Sequence, residues 1–460
     1  MPKRRISATY YQQCIDRPPH YGYYIADMNR APQCTFEVSL NGCWRPAATM
    51  ELMGGVESGV DSATRIAYLV EHALDFLGQK DAAALSATLP VSLELLRLPA
   101  WAAFAVDLLP QGYGRQELAQ RLGIGAGTRS ADWPLLLAGA GNPIGNLRVA
   151  EAAAYVQGQA TVVSRGFTQE EIVSRAGTFM EHLAGEGYFV AGSSGVQGEW
   201  PKILLTQDRS GLWRLDHLLP DEAAAKHWIV KFARGDGAAF RSILEMEAAY
   251  YRVAVDLGLR TAEPPIFDNG VLFIPRFDRE VTPRRVFRIG QESLYSLAGK
   301  AGFDASLTHN QACAAIAAHC TDPVADITEY VLRDVANIAL GNKDNHGRNS
   351  AFQRFGNGRV ALSPLYDFAP MFLHPEGIAR RMRWEKDDGG SPAWGSVAEQ
   401  AGSAGKIDAL LLRRRLADFA EPVARLPESL ERQGAPLGMI ERLHPGIVAN
   451  AAQLRDAAPK

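Results

Sequence analysis

The order in which two hydrophobic periods occur constrains the fold of this chain more than any other feature. Between residues 187 and 277, short apolar runs of strand length ("GYFVAG", "KILLTQ", "LWRLDH", "HWIVKFA", "PPIFDN" and "VLFIPRF") are separated by Gly, Ser and Pro clusters. One helical segment interrupts them. In "FRSILEMEAAYYRVAVDLG", Ile243, Met246, Tyr250, Val253 and Leu257 recur at spacings of three and four, and Gly258 supplies the stop. From about residue 290 the helical period takes over, in "SLYSLAGKAG", "QACAAIAAHC" and "DITEYVLRDVANIALG". This order predicts an α+β chain in which a small antiparallel β-rich lobe precedes a larger helical one.

Upstream, residues 1 to about 160 form a mixed region. "CTFEVSL" alternates like a strand, "SATRIAYLVEHALDFLG" and "GRQELAQRLGI" have helical spacing, and "GNPIGNLRV" reads as a turn leading into a strand. A further helix is expected to open at Thr168, with Glu170 and Glu171 in its first turns, and to run through "EEIVSRAGTFMEHLAG". The chain thus divides into 1–160, an N-terminal domain; 161–280, the β-rich lobe; and 281–460, the helical lobe. The segment "KDDGGSPAWGS" (386–396) is the expected mobile loop.

Composition narrows the function. A formal charge of -3 over 460 residues makes no strong field, so an anionic ligand must be met by local charges rather than by a basic coat. The five cysteines, with no CxxC spacing, argue against both a disulfide framework and a zinc site and favour a reducing, cytoplasmic compartment. The N-terminal "MPKRRISATYYQQ" lacks an apolar signal region, and no window has the apolar length of a membrane span.

The densest polar cluster is "GNKDNHGRN" (341–349). Asn349 follows Asp344 by five residues, and Asp367 in "LYDF" follows by twenty-three. Hard divalent cations take oxygen from carboxylates and amides, so Asn349 and Asp367 suit a metal bound to nucleotide phosphates, and Asp344 suits orienting an attacking hydroxyl. This is the arrangement of a protein-kinase-like catalytic loop. Singly, each residue is equally explained as a turn-former or helix cap. Upstream, "AGSSGVQGEWPK" (191–202) sets Gly192, Gly195 and Gly198 where backbone N–H groups can approach phosphates. Lys231 lies within an apolar strand and needs an anion, from Glu245 or Glu247 on the following helix or from phosphate, unless it snorkels from an edge strand.

Together these residues resemble the HipA family, the serine/threonine kinase toxins of bacterial toxin–antitoxin modules. "LGNKDNHGRN" is similar to that family's GNxDxHxxN loop, "LSPLYDF" to its LxPxYD segment, and "ILEMEAAYYRVAVDLGL" to its ExxxxxLAxxxGL helix, which selects Glu247. "IPRFDRE" resembles its RFDR segment, "GQESLYSLAG" its HQEDxxQ stretch, and "VDLLPQGYGRQELAQRLGI" with "GNPIGNLRV" its N-terminal signatures. The chain departs from the family pattern at Gly290, where the histidine of HQED would stand, at Ser293 after Glu292, and in the serine spacing of "SSGVQGEWPK".

The resemblance implies a protein-kinase-like two-lobed fold with an added N-terminal domain, and an ATP- and Mg²⁺-dependent serine/threonine protein kinase. Asp344 would be catalytic and Asn349 and Asp367 metal-binding. ATP would meet Gly195, Val196, Gln197, Gly198, Glu199, Lys202, Lys231, Glu247, Pro275, Arg276, Phe277, His346 and Tyr366. Ser194 or Ser193 would be the autophosphorylation site. The implied partners are a HipB-like helix-turn-helix antitoxin, with DNA met only through it, and a protein substrate such as an aminoacyl-tRNA synthetase. A kinase-derived corepressor that binds nucleotide without phosphorylating protein, and a small-molecule phosphotransferase, are the alternative readings.

Overall fold

The structure is a computed structural model and describes residues 31–159, 165–185, 200–233, 237–386 and 389–459. The expected strand "GYFVAG" and the loop residues 191–199 lie outside these residues. So do residues 387 and 388 of "KDDGGSPAWGS", whose last three residues already belong to a helix, Trp394–Gly405, anchored by the fully buried Trp394.

The N-terminal region is built on a five-stranded antiparallel sheet in the order β4-β3-β2-β1-β5, where β1 is Gln33–Leu40, β2 Cys43–Leu52, β3 Thr64–Tyr68, β4 Leu96–Leu98 and β5 Leu147–Val149. Helices pack on it to bury Phe36, Val38, Met50, Ile66, Trp101 and Phe104 in one core. The helical reading of "SATRIAYLVEHALDFLG" fails in its first half. Thr64, Ile66 and Tyr68 are buried while Arg65 and Ala67 are not, which is the two-residue period of a strand, and β3 pairs with β2; only Val70–Phe76 is helical.

The second sheet is the expected antiparallel one, in the order β7-β6-β8-β10-β9, with β6 at Lys202–Asp208, β7 at Trp213–Leu215, β8 at Ala224–Phe232, β9 at Ile266–Asp268 and β10 at Val271–Pro275. Ile203, Leu205, Val230, Phe232 and Phe273 face one core together with Ile172, Phe179 and Leu183. The last three come from two helices, Gln169–Val173 and Phe179–Gly185, where a single one was expected. Thr168 and Glu171 do form the reciprocal cap at its start, but the helix ends at Ser174 and the chain turns through Gly177. The opposite face of the sheet receives the helix Ala238–Asp256, with Leu244 and Ala248 against Leu272 and Ile274.

The remaining residues form a hairpin, β11 (Arg279–Val281) with β12 (Val286–Arg288), and a small sheet of β13 (Gly290–Ser293), β14 (Ala351–Arg354) and β15 (Val360–Leu362). Helices fill the rest, among them His309–His319, Pro323–Ala339 and Leu437–Asp456, around a core that includes Ile316, Val331, Val335, Trp394, Leu416 and Ile447. Of the expected helix "SLYSLAGKAG", Ser293 ends strand β13 and caps a short helix, Leu294–Leu297, before Gly299 takes a left-handed φ of 66°.

Candidate functional site

β8 alternates its side chains, so Lys231 shares the helix-facing side of the sheet, and that helix carries Leu244, Glu247 and Ala248 on its buried stripe. The choice between Glu245 and Glu247 is thereby decided: Glu245 is exposed, and the Nζ of Lys231 donates to Glu247 Oε1 at 2.7 Å. The same ammonium also donates to Asp367 Oδ1. Lys231 is 6% exposed and Glu247 4%, so neither is a snorkelling surface group. Lys202 stands directly opposite Lys231 on β6, on the same side of the sheet, and is equally buried. Like charges facing each other across a ladder repel, so this pair is a standing demand for anions.

The proton affinities follow. Burial opposes the charged form of Lys231, yet Asp367 and Glu247 outweigh it and hold the ammonium above its ordinary value. Burial drives Lys202 the other way, with Asp367 resisting and Lys231 adding to the fall. Asp367 stays ionised despite its burial because Lys231 and Lys202 pull its carboxyl well below the usual range. Burial pushes Glu247 up, against the pull of Lys231.

The loop after the helix Pro323–Ala339 turns at Gly341, whose φ is 67° and where a Cβ would lie 2.7 Å from the Phe372 ring. Asn342 then donates to Asn337 Oδ1 at 2.9 Å and accepts the N–H of Asp344 at 3.3 Å. Asn349 closes the loop: its N–H donates to His346 O at 2.9 Å and its Nδ2 to Asp344 O at 2.7 Å. His346 accepts the N–H of Arg348 on Nδ1 at 3.2 Å, which leaves the proton of the neutral ring on Nε2, 3.5 Å from Asp344 Oδ1. Burial lowers the pKa of this imidazole, with Asp344 opposing. His346 thus orders the loop through Arg348, with its Nε2 beside the Asp344 carboxylate.

Asp367 itself has a left-handed φ of 50°, a conformation that costs a non-glycine residue about 1–3 kcal/mol unless its side chain is tied. The tie to Lys231 supplies that restraint. Tyr366, beside it, donates its hydroxyl to Arg348 O at 2.6 Å, and its ring lies 6.1 Å from that of Phe277. Asp344, Asn349, Tyr366 and Asp367 all line one cavity of about 30 Å³. Arg333 and Asp334 line it from below; a charged pair inside the apolar pattern of "YVLRDVANIA" is the signal by which the sequence could have pointed to them. There Asp334 accepts Arg380 Nη2 on both oxygens, at 2.9 and 2.8 Å, and Trp384 Nε1 at 2.9 Å.

The segment Pro275–Phe277 leaves the end of β10, but its polar groups are largely committed. The N–H of Arg276 donates to His227 O at 2.9 Å, and Phe277 O accepts Gln353 Nε2 at 3.2 Å. The Arg276 guanidinium is fully buried between Asp278 and Asp216. Gly195, Val196, Gln197, Gly198 and Glu199, with Ser193 and Ser194, lie outside the described residues.

Among the described residues, no cluster of three or more His, Cys, Asp or Glu side chains could hold a metal on protein donors alone. Asp367 and Asn349 nevertheless fit a magnesium ion shared with phosphates, because that ion takes one or two carboxylates and leaves its other positions to water and phosphate oxygen. Asn349 has spent its amide nitrogen on Asp344 O, so its carbonyl oxygen is the atom left to coordinate. The formal charges of Lys202, Lys231, Glu247, Asp344 and Asp367 sum to one negative, and a divalent cation would turn the site positive.

Comparison with known proteins bears on the same residues. The profile described as the HipA-like C-terminal domain matches residues 194–428. Y4mE of Sinorhizobium fredii (strain NBRC 101917 / NGR234), a protein named provisionally as a kinase, is 26% identical over 266 residues; the match takes in 54% of this chain and 59% of Y4mE. Among solved structures, the HipA, HipB and operator DNA complex of Shewanella oneidensis MR-1 matches with a TM-score of 0.64 at 19% identity, over 92% of this chain and 99% of the matched one. That likeness extends through the N-terminal region and shows a shared α+β fold. With more than half its length in the HipA-like C-terminal domain, the chain belongs to the HipA-like family.

Proposed function

We propose that this protein is an ATP- and Mg²⁺-dependent serine/threonine protein kinase and the toxin of a HipA/HipB-like module. The observation that carries the reading is the meeting of Lys231, Glu247 and Asp367 beside the loop that sets Asp344 and Asn349 in one cavity. Lys231 and Lys202 would bind phosphate oxygens, and the like-charge pair would gain most from them. Asp367 and Asn349 would hold the magnesium ion, which when bound supplies charge neutralisation of the phosphates. Asp344, with His346 Nε2–H fixing its carboxylate, would accept the proton of the acceptor hydroxyl. The ring of Tyr366 and the backbone at Pro275, Arg276 and Phe277 would bound the adenine, and the loop Gly195–Glu199 would cover the phosphates. The domains would divide near 160 and 280.

The partners follow from the family: a HipB-like antitoxin, through which DNA is met, and a protein acceptor such as an aminoacyl-tRNA synthetase. The reading places the protein in the cytoplasm, and no helix among the described residues is long and apolar enough to cross a membrane. Purified protein incubated with γ-labelled ATP, Mg²⁺ and cell lysate should transfer label to serine or threonine, and Asp344→Asn should not. Equal labelling by the variant, or none by either, would sink the kinase reading. Nucleotide binding without transfer would favour a corepressor. Phosphate mapped to Ser194 or Ser193 would identify the autophosphorylation site, and its absence from both would remove that part.

A further inference from the structure

The chain departs from its family's pattern at Ser293, and the structure shows what that serine meets. Ser293 ends β13, and its N–H and Oγ both donate to the carboxylate of Asp107, at 2.8 and 2.9 Å. Asp107 belongs to the N-terminal region, at the end of the helix Ala103–Asp107, whose Phe104, Ala105 and Val106 are buried in that region's core. The contact therefore crosses from one folded region to another.

On its far side the same turn touches the Asp344 loop. The N–H of Leu294 lies 3.0 Å from Gly347 O and 2.8 Å from Ser350 O, so one donor gathers both ends of the turn that contains Asn349. The ring of Tyr295 lies flat enough against Gly347 that a Cβ there would sit 2.7 Å from it. The Arg348 guanidinium stands over that ring, 5.2 Å from its centroid, and donates to Gly302 O at 3.0 Å. Arg348 O in turn accepts Tyr366, the neighbour of Asp367. Two residues of chain thus separate a carboxylate of the N-terminal region from the turn that presents Asn349.

We propose that Asp107 is a positioning residue for phosphoryl transfer: through Ser293, the N-terminal region holds the Gly347–Ser350 turn where Asn349 and Asp344 share one cavity. Asp107 itself does not line the cavity that Asp344 and Asn349 share. The proposal rests on the kinase reading for its effect on rate, but not for its effect on the loop. Without the carboxylate, the N–H of Ser293 loses its acceptor and the start of the Leu294–Leu297 helix can drift. A misplacement of about 1 Å at a reacting centre can cost roughly a hundredfold in rate.

The experiment compares full-length wild type with Asp107→Ala, Asp107→Asn and Ser293→Ala, reading kcat and nucleotide KM with γ-labelled ATP, and amide exchange by mass spectrometry. Asp107→Ala should lower kcat by about ten- to a hundredfold with nucleotide KM within about twofold. Exchange should quicken over 344–350 and stay as in wild type over β6 and β8. Asp107→Asn, which keeps one acceptor oxygen, should fall between. Unchanged kcat and unchanged loop exchange in Asp107→Ala would overturn the proposal. So would a uniform rise in exchange across the protein in all three variants, which would make Asp107 a folding residue. If wild type transfers no phosphate, the kinase reading fails, and loop exchange alone still decides whether Asp107 braces the turn.

Discussion

Two of the clusters of buried charge among the described residues are built differently. Where the N-terminal region meets the rest of the chain, Asp278 and Glu292 are each held by several donors. Asp278 accepts Arg276 Nε at 2.9 Å and Nη2 at 2.8 Å, Arg279 Nη1 at 2.6 Å and the N–H of Gly145 at 2.7 Å. Glu292 accepts Ser86 Oγ at 2.6 Å, Ala87 N at 2.8 Å and Ser296 Oγ at 2.9 Å, with Arg354 beside it. In the cleft, by contrast, two lysines face each other and Lys231 serves two carboxylates at once. In the first cluster Asp278 and Glu292 each accept several hydrogen bonds; in the second, one ammonium is shared between two carboxylates. Burial of charge alone therefore does not mark a site.

Asp344→Asn should give the largest effect. Transfer should fall by about 10²–10⁴-fold, the usual range for a lost proton acceptor, with the melting temperature unchanged. A comparable loss of stability would move Asp344 into the structural class. Asp278→Ala should do the reverse. It leaves Arg276 with Asp216 alone and takes the carboxylate partner from Arg279 in the interior, and should cost about 3–5 kcal/mol in urea unfolding. A cost below about 1 kcal/mol would mean that Asp278 does not hold these guanidinium groups in place.

A smaller effect sharpens the contrast. Lys202→Met removes one of two opposed cations, and nucleotide affinity, read by calorimetry, should fall about tenfold, the worth of one charge-assisted hydrogen bond. Unchanged affinity would refute the assignment.

The smallest effect concerns pH. Burial, with help from Glu181 and against Arg121, raises Glu117 from 4.5 to about 7. A raised carboxyl means that the folded state holds its proton more tightly than the unfolded chain. Its contribution is complete below about 4.5 and is lost as pH rises through about 7. Melting curves should show wild type losing stability across that window and Glu117→Gln losing less; parallel curves would exclude the effect.

Much of the cleft was legible because its chemistry lies in short contiguous stretches. "GNKDNHGRN" and "LYDF" carry the loop and Asp367, while the residues alone left Glu245 and Glu247 open, and the family resemblance selected Glu247, which the structure buries. The seam was not legible, because Asp278 and Glu292 find partners more than a hundred residues away, at Gly145 and at Ser86 and Ala87. Thr64–Tyr68 was misread because "TRIAY" has both helical and alternating character, and pairing with β2 decides between them. Arg276 is expected at the nucleotide, yet its side chain belongs to the seam, paired with Asp216 and Asp278.

The left-handed backbone at Asp367 puts two requirements on one position that different residues would meet best. The main chain alone would choose glycine, and the proposed metal role alone would choose any carboxylate, including glutamate, for which that φ is strained. Aspartate satisfies both, so the position separates them experimentally. Asp367→Asn keeps the short side chain and the bend but loses the charge, Asp367→Glu keeps the charge and strains the bend, and Asp367→Gly keeps only the bend. Ranking the three by magnesium dependence measures how much of the site is shape and how much is charge.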